Sequence, residues 1–498
     1  MGEPEATADT AATQVDVLIV GAGISGICAA YHLQKSCPDR SFAILEGRER
    51  IGGTWDLFRY PGIRSDSDMY TLGFSFRPWT EEKAIADGDS ILRYLNDTVR
   101  EYSIEEKIRF GHRVKRASWS TDQARWDVDA ERTDTGAPVR FRCKFILMCS
   151  GYYNYDHGYT PAFPGIERFG GKVVHPQFWA PDVDYAGKRV VIIGSGATAV
   201  TLLPNLAKTA SHVTMLQRSP TYVVARPARD EVADKLRRNL PMRMAYELVR
   251  WKNVLLGMFF FWMCKRRPDQ VRRWILGGVR QALGPDYDIR KHFSPKYKPW
   301  DQRMCLAPDG DFFAAIRDGK ASVATDTIQT FTETGIQLVS GEHLDADLVV
   351  TATGLDLKFL GGLEVTVDGQ RADLPKAMLY KGMMLSGVPN LAMTIGYTNA
   401  SWTLKCELTC QYVCRLLNHM RENGHDECRV RVPEGGVQEE PVLALSSGYI
   451  QRSADAFPRQ GLEMPWKLYQ NYALDKMMLG YGNVDDAAVH FSSRGSMS

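Results

Sequence analysis

Hydrophobic positions in this chain cluster in short unbroken runs, and the runs end at glycines or single charged residues. Residues 15–20, VDVLIV, stop at Gly21-Ala22-Gly23. A run of that length, flanked by turn residues, predicts a strand buried on both faces, as parallel sheets require. The stretch that follows, ICAAYHLQKS, predicts a helix, and FAILE at 42–46 predicts a second buried strand tipped by an acid. The pattern returns at 188, where KRVVII runs into Gly194-Ser195-Gly196, a second helix-forming stretch and then the strand HVTMLQ at 212–217. FILMC at 145–149 closes the first unit, and ADLVVTATG at 346–354 predicts a strand that leads back out of the second. Strand–helix–strand repeats of this kind predict an α/β fold with two Rossmann-like dinucleotide-binding domains.

The expected organisation is a flexible arm at 1–14, the first part of one nucleotide domain at 15–151, and a linker at 152–187. A second nucleotide domain follows at 188–350, and the first resumes at 351–498. Residues from about 225 to 300 do not fit a plain nucleotide fold and read as a helical insertion in the second domain. Within it, residues 254–264, VLLGMFFFWMC, are apolar all round and flanked by Lys252 and by Lys265, Arg266 and Arg267. Eleven residues fall short of the ~20 that span a bilayer. Two readings stand: a buried helix or channel wall, or an interfacial helix with a basic rim.

Charge narrows the function classes. Sixty-one Lys and Arg against fifty-nine Asp and Glu leave a net +2, which argues against a nucleic-acid partner. The leader MGEPEATADTAATQ has no basic–apolar secretory pattern, and Ala6 stands where acylation of Gly2 would want Ser or Thr. A cytoplasmic protein is expected, with peripheral membrane association through 254–264 as the alternative. Oligomeric state is not legible.

The glycine clusters carry the first chemistry. Gly21 makes the tight turn, Gly23 lets backbone approach a pyrophosphate, and Gly26 lets the helix pack on the strand. The helix N-terminus, with Ser25, adds N–H groups and positive dipole. Glu46 lies twenty residues beyond Gly26, where a ribose hydroxyl partner belongs. The second cluster comprises Gly194, Ser195, Gly196, Ala197, Thr198, Ala199 and Val200, and here Arg218 and Ser219 follow the strand in place of an acid. A carboxylate would repel a 2′-phosphate and a guanidinium pairs with it. The first site is therefore expected to take FAD and the second NADPH, the layout of a flavoprotein that accepts hydride from NADPH.

Disulfide reductases share that layout but need a close redox pair. Cys143 and Cys149 sit on and just after a strand, while Cys406, Cys410 and Cys414 recur every four residues. That spacing predicts one helix face packed on a core, and no metal site is expected.

A further stretch reads Phe169-x-Gly171-x-x-x-His175-x-x-x-Trp179. With GGTWDLFRYPGIRSDSD at 52–68 and KPWDQRMCLAPDGDFF at 298–313, it resembles Baeyer–Villiger monooxygenases of the flavin-containing monooxygenase superfamily. The wording is similar to the branch that contains the ethionamide-activating monooxygenase of mycobacteria. The resemblance implies that Gly53, Thr54, Trp55, Asp56, Leu57, Arg64 and Ser65 contact the flavin, that Asp66 sits where flavin meets nicotinamide, and that the Val114 main chain contacts FAD. It also implies that Phe169, Gly171, His175 and Trp179 couple domain motion and that Arg303 lies over the flavin. A fixed guanidinium suits that place, because reduced flavin and O2 form a C4a-peroxide anion and Arg keeps its proton. Arg303 and Asp66 are thus the catalytic candidates. The implied reaction inserts oxygen beside a ketone carbonyl to give an ester or lactone. Sulfur or nitrogen oxygenation of thioethers, thioamides or amines is the alternative, and a flavin redox sensor is the non-enzymatic one.

Overall fold

The computed structural model describes residues 12–442 and 447–494. Of the expected arm, residues 1–11 lie outside the described residues, and Thr13 and Gln14 open the first strand. The fold is α/β with two parallel-stranded cores, the class read from the sequence.

The first sheet centres on the strand Thr13–Val20, which pairs in parallel with Phe42–Leu45 on one side and Pro138–Met148 on the other. Its inner end, Val17 to Val20, is buried, as a strand covered on both faces must be. An antiparallel meander of His112–Ser120, Arg125–Arg132 and Pro138–Met148 widens the sheet. The distant strand Leu391–Met393 adds in parallel beside Pro138–Met148, so late chain completes the early sheet. The helix Ile24–Ser36 covers one face together with the helix Trp402–Glu422.

The second sheet has five parallel strands in the order Ala321–Thr325, His212–Gln217, Arg189–Ile193, Leu348–Thr351, Lys172–Val174. Its edge strand comes from the fingerprint segment. A Cβ on Gly171 would stand 2.5 Å from the Asp347 carbonyl oxygen, so only glycine lets this edge close against its neighbour. Phe169 packs with Leu216 and Phe331, while Trp179 packs with Val190, Phe58 and Tyr60.

The segments that link the two sheets, Tyr153–Gly158 and Leu355–Leu357, pair with each other in antiparallel fashion. The helical stretch comprises Glu231–Asn239, Met242–Arg266, Pro268–Leu283 and Ile289–Phe293. Its two ends are clamped by the parallel pair Val223–Arg226 and Cys305–Pro308. The long helix Met242–Arg266 is fastened to the first sheet's side by Arg250. Its guanidinium donates to the carbonyls of Tyr70 and Gly73 at 2.8 and 2.7 Å and to Glu407 at 2.6 Å.

No helix among the described residues is long and apolar enough to cross a membrane. Residues 254–264 are not wholly buried: Val254 and Cys264 face inward, but Phe259 is 60% and Trp262 50% exposed.

Candidate active site

A cavity of about 480 Å³ opens where the first glycine turn, the 52–68 segment and the start of the second glycine helix meet. Backbone proximity builds its floor. A Cβ on Gly21 would lie 2.6 Å from the Cys149 carbonyl oxygen, and one on Gly26 would lie 1.9 Å from that of Gly21. Bare backbone at these positions presents the start of the helix Ile24–Ser36 to the cavity, a cradle of N–H groups suited to a pyrophosphate. At the far end Glu46 is buried, with one carboxylate oxygen accepting from Ala22 N at 2.8 Å and the other from Arg48 N at 2.9 Å. Burial pushes its carboxyl above the usual range, while these two amides oppose the shift.

The expected residues Gly21, Gly23, Ser25, Glu46, Gly53, Thr54, Trp55, Arg64, Ser65, Asp66, Val114, Ala197, Thr198 and Arg303 all line this cavity. The Thr54 and Tyr155 hydroxyls lie 3.3 Å apart. Arg303 Nη1 donates to Asp66 Oδ2 at 3.2 Å, joining two segments 237 residues apart. Arg64 pairs with Asp311 at 2.5 Å, tying the 52–68 segment to the start of the helix Asp311–Arg317 in the second unit. A smaller apolar cavity, lined by Phe359, Ile395, Tyr397, Trp402 and Phe457, adjoins the first, and Arg303 lines both.

A model of flavin-binding monooxygenase-like proteins matches residues 14–419. The chain belongs to this family. It is 55% identical over 481 residues to the FAD-containing monooxygenase EthA of Mycobacterium tuberculosis (strain ATCC 25618 / H37Rv), covering 96% of this chain and 98% of that one. It is 51% identical over 485 residues to the probable FAD-binding monooxygenase AlmA of Acinetobacter baylyi (strain ATCC 33305 / BD413 / ADP1), covering 96% of each. In fold it matches an oxidised steroid monooxygenase bound to NADP, with a TM-score of 0.76 at 23% identity over 96% of this chain and 99% of that one. It also matches an open cyclohexanone monooxygenase, with a TM-score of 0.73 at 20% identity over 97% and 100%. These results agree with the resemblance and with the flavoprotein monooxygenase class read from the sequence.

Other expected residues of this family member lie outside the cavity wall. Asp56 is buried under three guanidiniums, paired with Arg48 at 2.6 Å, with Arg50 at 3.3 Å and with Arg59. It therefore organises the helix Thr54–Leu57, to which Leu57 also belongs, from behind. Gly26 and Ala199 are packed at helix–strand contacts, and Val200 is buried beside them. Gly194, at φ +125°, passes so close to Ala352 that a Cβ would stand 2.2 Å from its carbonyl oxygen. The Ser195 hydroxyl lies 2.9 Å from that of Thr221 and 3.4 Å from the Ser219 carbonyl, and Gly196 has open space above it. Arg218 is exposed at the end of its strand beside this second turn.

His175 stands apart from both cavities. Its Nδ1 accepts from Gln177 N at 3.2 Å, so Nε2 carries the proton and donates to the Gly354 carbonyl at 3.3 Å. Its ring is packed on Gly158, where a Cβ would meet Cε1 at 2.1 Å. Gly158 and Gly354 flank the two linking strands, so His175 staples the crossover between the sheets. Burial pulls its pKa below the ordinary value.

Sequence reasoning missed several cavity residues. Tyr60 is buried, lines the cavity together with Thr198 of the second unit and has its phenol pushed up to about 12 by burial. Tyr152 stacks on Trp402 with ring centroids 5.1 Å apart, and Trp402 Nε1 donates to Ser25 Oγ at 2.8 Å. Isolated aromatics carry no periodic signal, so only their meeting marks them.

Proposed function

We propose that this chain is an FAD-containing, NADPH-dependent monooxygenase whose preferred reaction is Baeyer–Villiger oxidation of ketones to esters or lactones. The observation that carries the reading is the place of Arg303, on the wall shared by the polar cavity and the smaller apolar one. The first glycine cradle and Glu46 fit the pyrophosphate and ribose of FAD. FAD held there and reduced by NADPH supplies one oxygen atom of O2 to the substrate. Arg303 keeps a permanent positive charge where negative charge develops during delivery to a carbonyl, and Asp66 holds the guanidinium in register. Arg218 meets the NADPH 2′-phosphate. Aromatic and aliphatic walls at Phe359, Ile395 and Phe457 receive an apolar ketone.

Delivery to sulfur or nitrogen needs no anion at Arg303, so thioethers, thioamides and amines form the second substrate class. The test is a mass-spectrometric product screen of linear, cyclic and aromatic ketones beside thioethers. Ester or lactone formation supports the proposal. Sulfoxides alone move the chain to heteroatom oxygenation, and NADPH consumption without any substrate-dependent product points to a redox sensor.

The exposed apolar face of the helix Met242–Arg266 supports a peripheral membrane contact. Met244, Leu248, Leu255, Phe259 and Trp262 are all exposed, at helical spacing, with exposed Arg266 and Arg267 beyond them. Co-sedimentation with anionic vesicles should fall when Phe259 and Trp262 become Ser, while bound FAD is unchanged. Equal sedimentation of the variant would remove this helix from consideration.

A further inference from the structure

The face of the helix Ile24–Ser36 turned away from the glycine cradle meets the helix Trp402–Glu422, and each contributes an i, i+4 pair to the contact. Cys28 and His32 come from the first helix, and Cys406 and Cys410 from the second. Residues four apart share a helix face, so the two pairs face each other across the contact, with Cys28 common to both clusters they form. The sulfurs of Cys28, Cys406 and Cys410 all lie within 4.8 Å of one another. One ring nitrogen of His32 lies within the same distance of the Cys28 sulfur and of a Glu407 carboxylate oxygen.

Three thiols gathered by packing alone would need no comment, since Cys behaves as a small hydrophobe. His32 is different. It is only 7% exposed, and its Nε2 has no hydrogen-bond partner among the described residues. A buried polar nitrogen left unpaired is costly, so its retention beside three thiols calls for a partner. Glu407 does not serve, because its carboxylate is already held by Arg250 at 2.6 Å and by Ser75 N at 2.7 Å.

We propose that Cys28, Cys406 and Cys410, with His32 as fourth donor, form a structural site for a thiophilic divalent ion of the Zn2+ type. Ligands at ~2.3 Å from a tetrahedral centre stand roughly 3.8 Å apart, so closure of the three sulfurs from 4.8 Å needs shifts of an ångström or less. His32, with a ring nitrogen within 4.8 Å of the Cys28 sulfur, supplies the fourth donor. All three thiols release their protons to solvent on binding, which leaves Zn2+, three thiolates and one neutral imidazole with a net charge of −1. Soft sulfur donors select against Mg2+ and Ca2+.

The site is coupled to the glycine cradle. Cys406 Sγ lies 3.8 Å from the Ser25 carbonyl oxygen, and Trp402, one turn earlier, donates to Ser25 Oγ. Ser25 lines the large cavity. An ion that locks the two helices therefore fixes the start of the cradle helix without touching anything bound there.

The test is elemental analysis of the purified holoprotein, followed by Co2+ exchange. Near one equivalent of zinc and long-wavelength Co2+ d–d bands with thiolate charge transfer are expected in the wild type. Cys28→Ser/Cys410→Ser should lose both, and His32→Gln should weaken zinc retention against a chromophoric chelator by about tenfold or more. Wild type without zinc and without Co2+ bands overturns the proposal, whatever the variants do. Zinc retained in full by Cys28→Ser/Cys410→Ser overturns it as well, by placing the ion elsewhere.

Discussion

If the proposed function holds, replacing Arg303 by Ala should separate delivery of oxygen from reduction. The Arg303–Asp66 pair spans 3.2 Å, with side chains 38% and 42% exposed. A pair so open to water contributes about 0–1 kcal/mol to stability, so Arg303→Ala should melt close to the wild type and retain FAD. On the proposed function, its worth lies in the charge it presents to the cavity. A preorganised donor aimed at developing negative charge contributes ~3–4 kcal/mol, or about 10²–10³ in rate. NADPH oxidation should therefore continue while ester per NADPH falls by about two orders of magnitude and hydrogen peroxide takes its place. Asp66→Ala keeps the cation and loses only its tether, so its loss should be smaller. Arg303→Lys should recover part of the yield, since a compact ammonium keeps the charge without the planar fork. The assay is product and peroxide per NADPH, for one ketone and one thioether, in all four proteins. Full ketone coupling in Arg303→Ala would refute the assignment, and an equal loss for thioether and ketone would show that charge on the delivered oxygen is not what Arg303 serves.

Arg218→Ala should raise KM for NADPH and remove most of a roughly 10–100-fold preference over NADH, worth ~1.5–3 kcal/mol, as steady-state kinetics with both cofactors would show. Arg250→Met should cost ~3–5 kcal/mol in a thermal or urea melt, because it strands the Glu407 carboxylate in the core, and adding Glu407→Gln should restore part of the loss. His175 is held neutral by burial, its folded pKa below the ordinary 6.5. Below that value the unfolded chain binds the extra proton first, so stability should drop as pH falls from about 7 to about 5. His175→Gln keeps a donor for Gly354 and should flatten that drop, which paired melts at the two pH values would reveal.

Much of this protein is determined locally. VDVLIV, FAILE, KRVVII and HVTMLQ become strands because a continuous apolar run has no solvent face to offer, and Gly21, Gly26 and Gly194 are required where backbone passes within contact distance of backbone. Those are properties of a few consecutive residues, so spacing alone discloses two nucleotide-type turns and the acid or arginine after each. Contacts between distant segments are another matter. Nothing in the 52–68 wording foretells that Asp56, expected at the flavin, turns into a nest of three arginines. Nothing in an apolar run around Phe259 discloses that Arg250, on the same helix, anchors it and leaves Phe259 outside. The cysteines show the division most plainly. Cys406 and Cys410 read as one helix face, and they are. That Cys28 and His32, from a helix almost four hundred residues earlier, meet that face is decided by the return of the late chain to the early sheet. Local sterics and solvation act over a turn or a strand, whereas the meeting of two helices is settled by packing energy summed over a whole core.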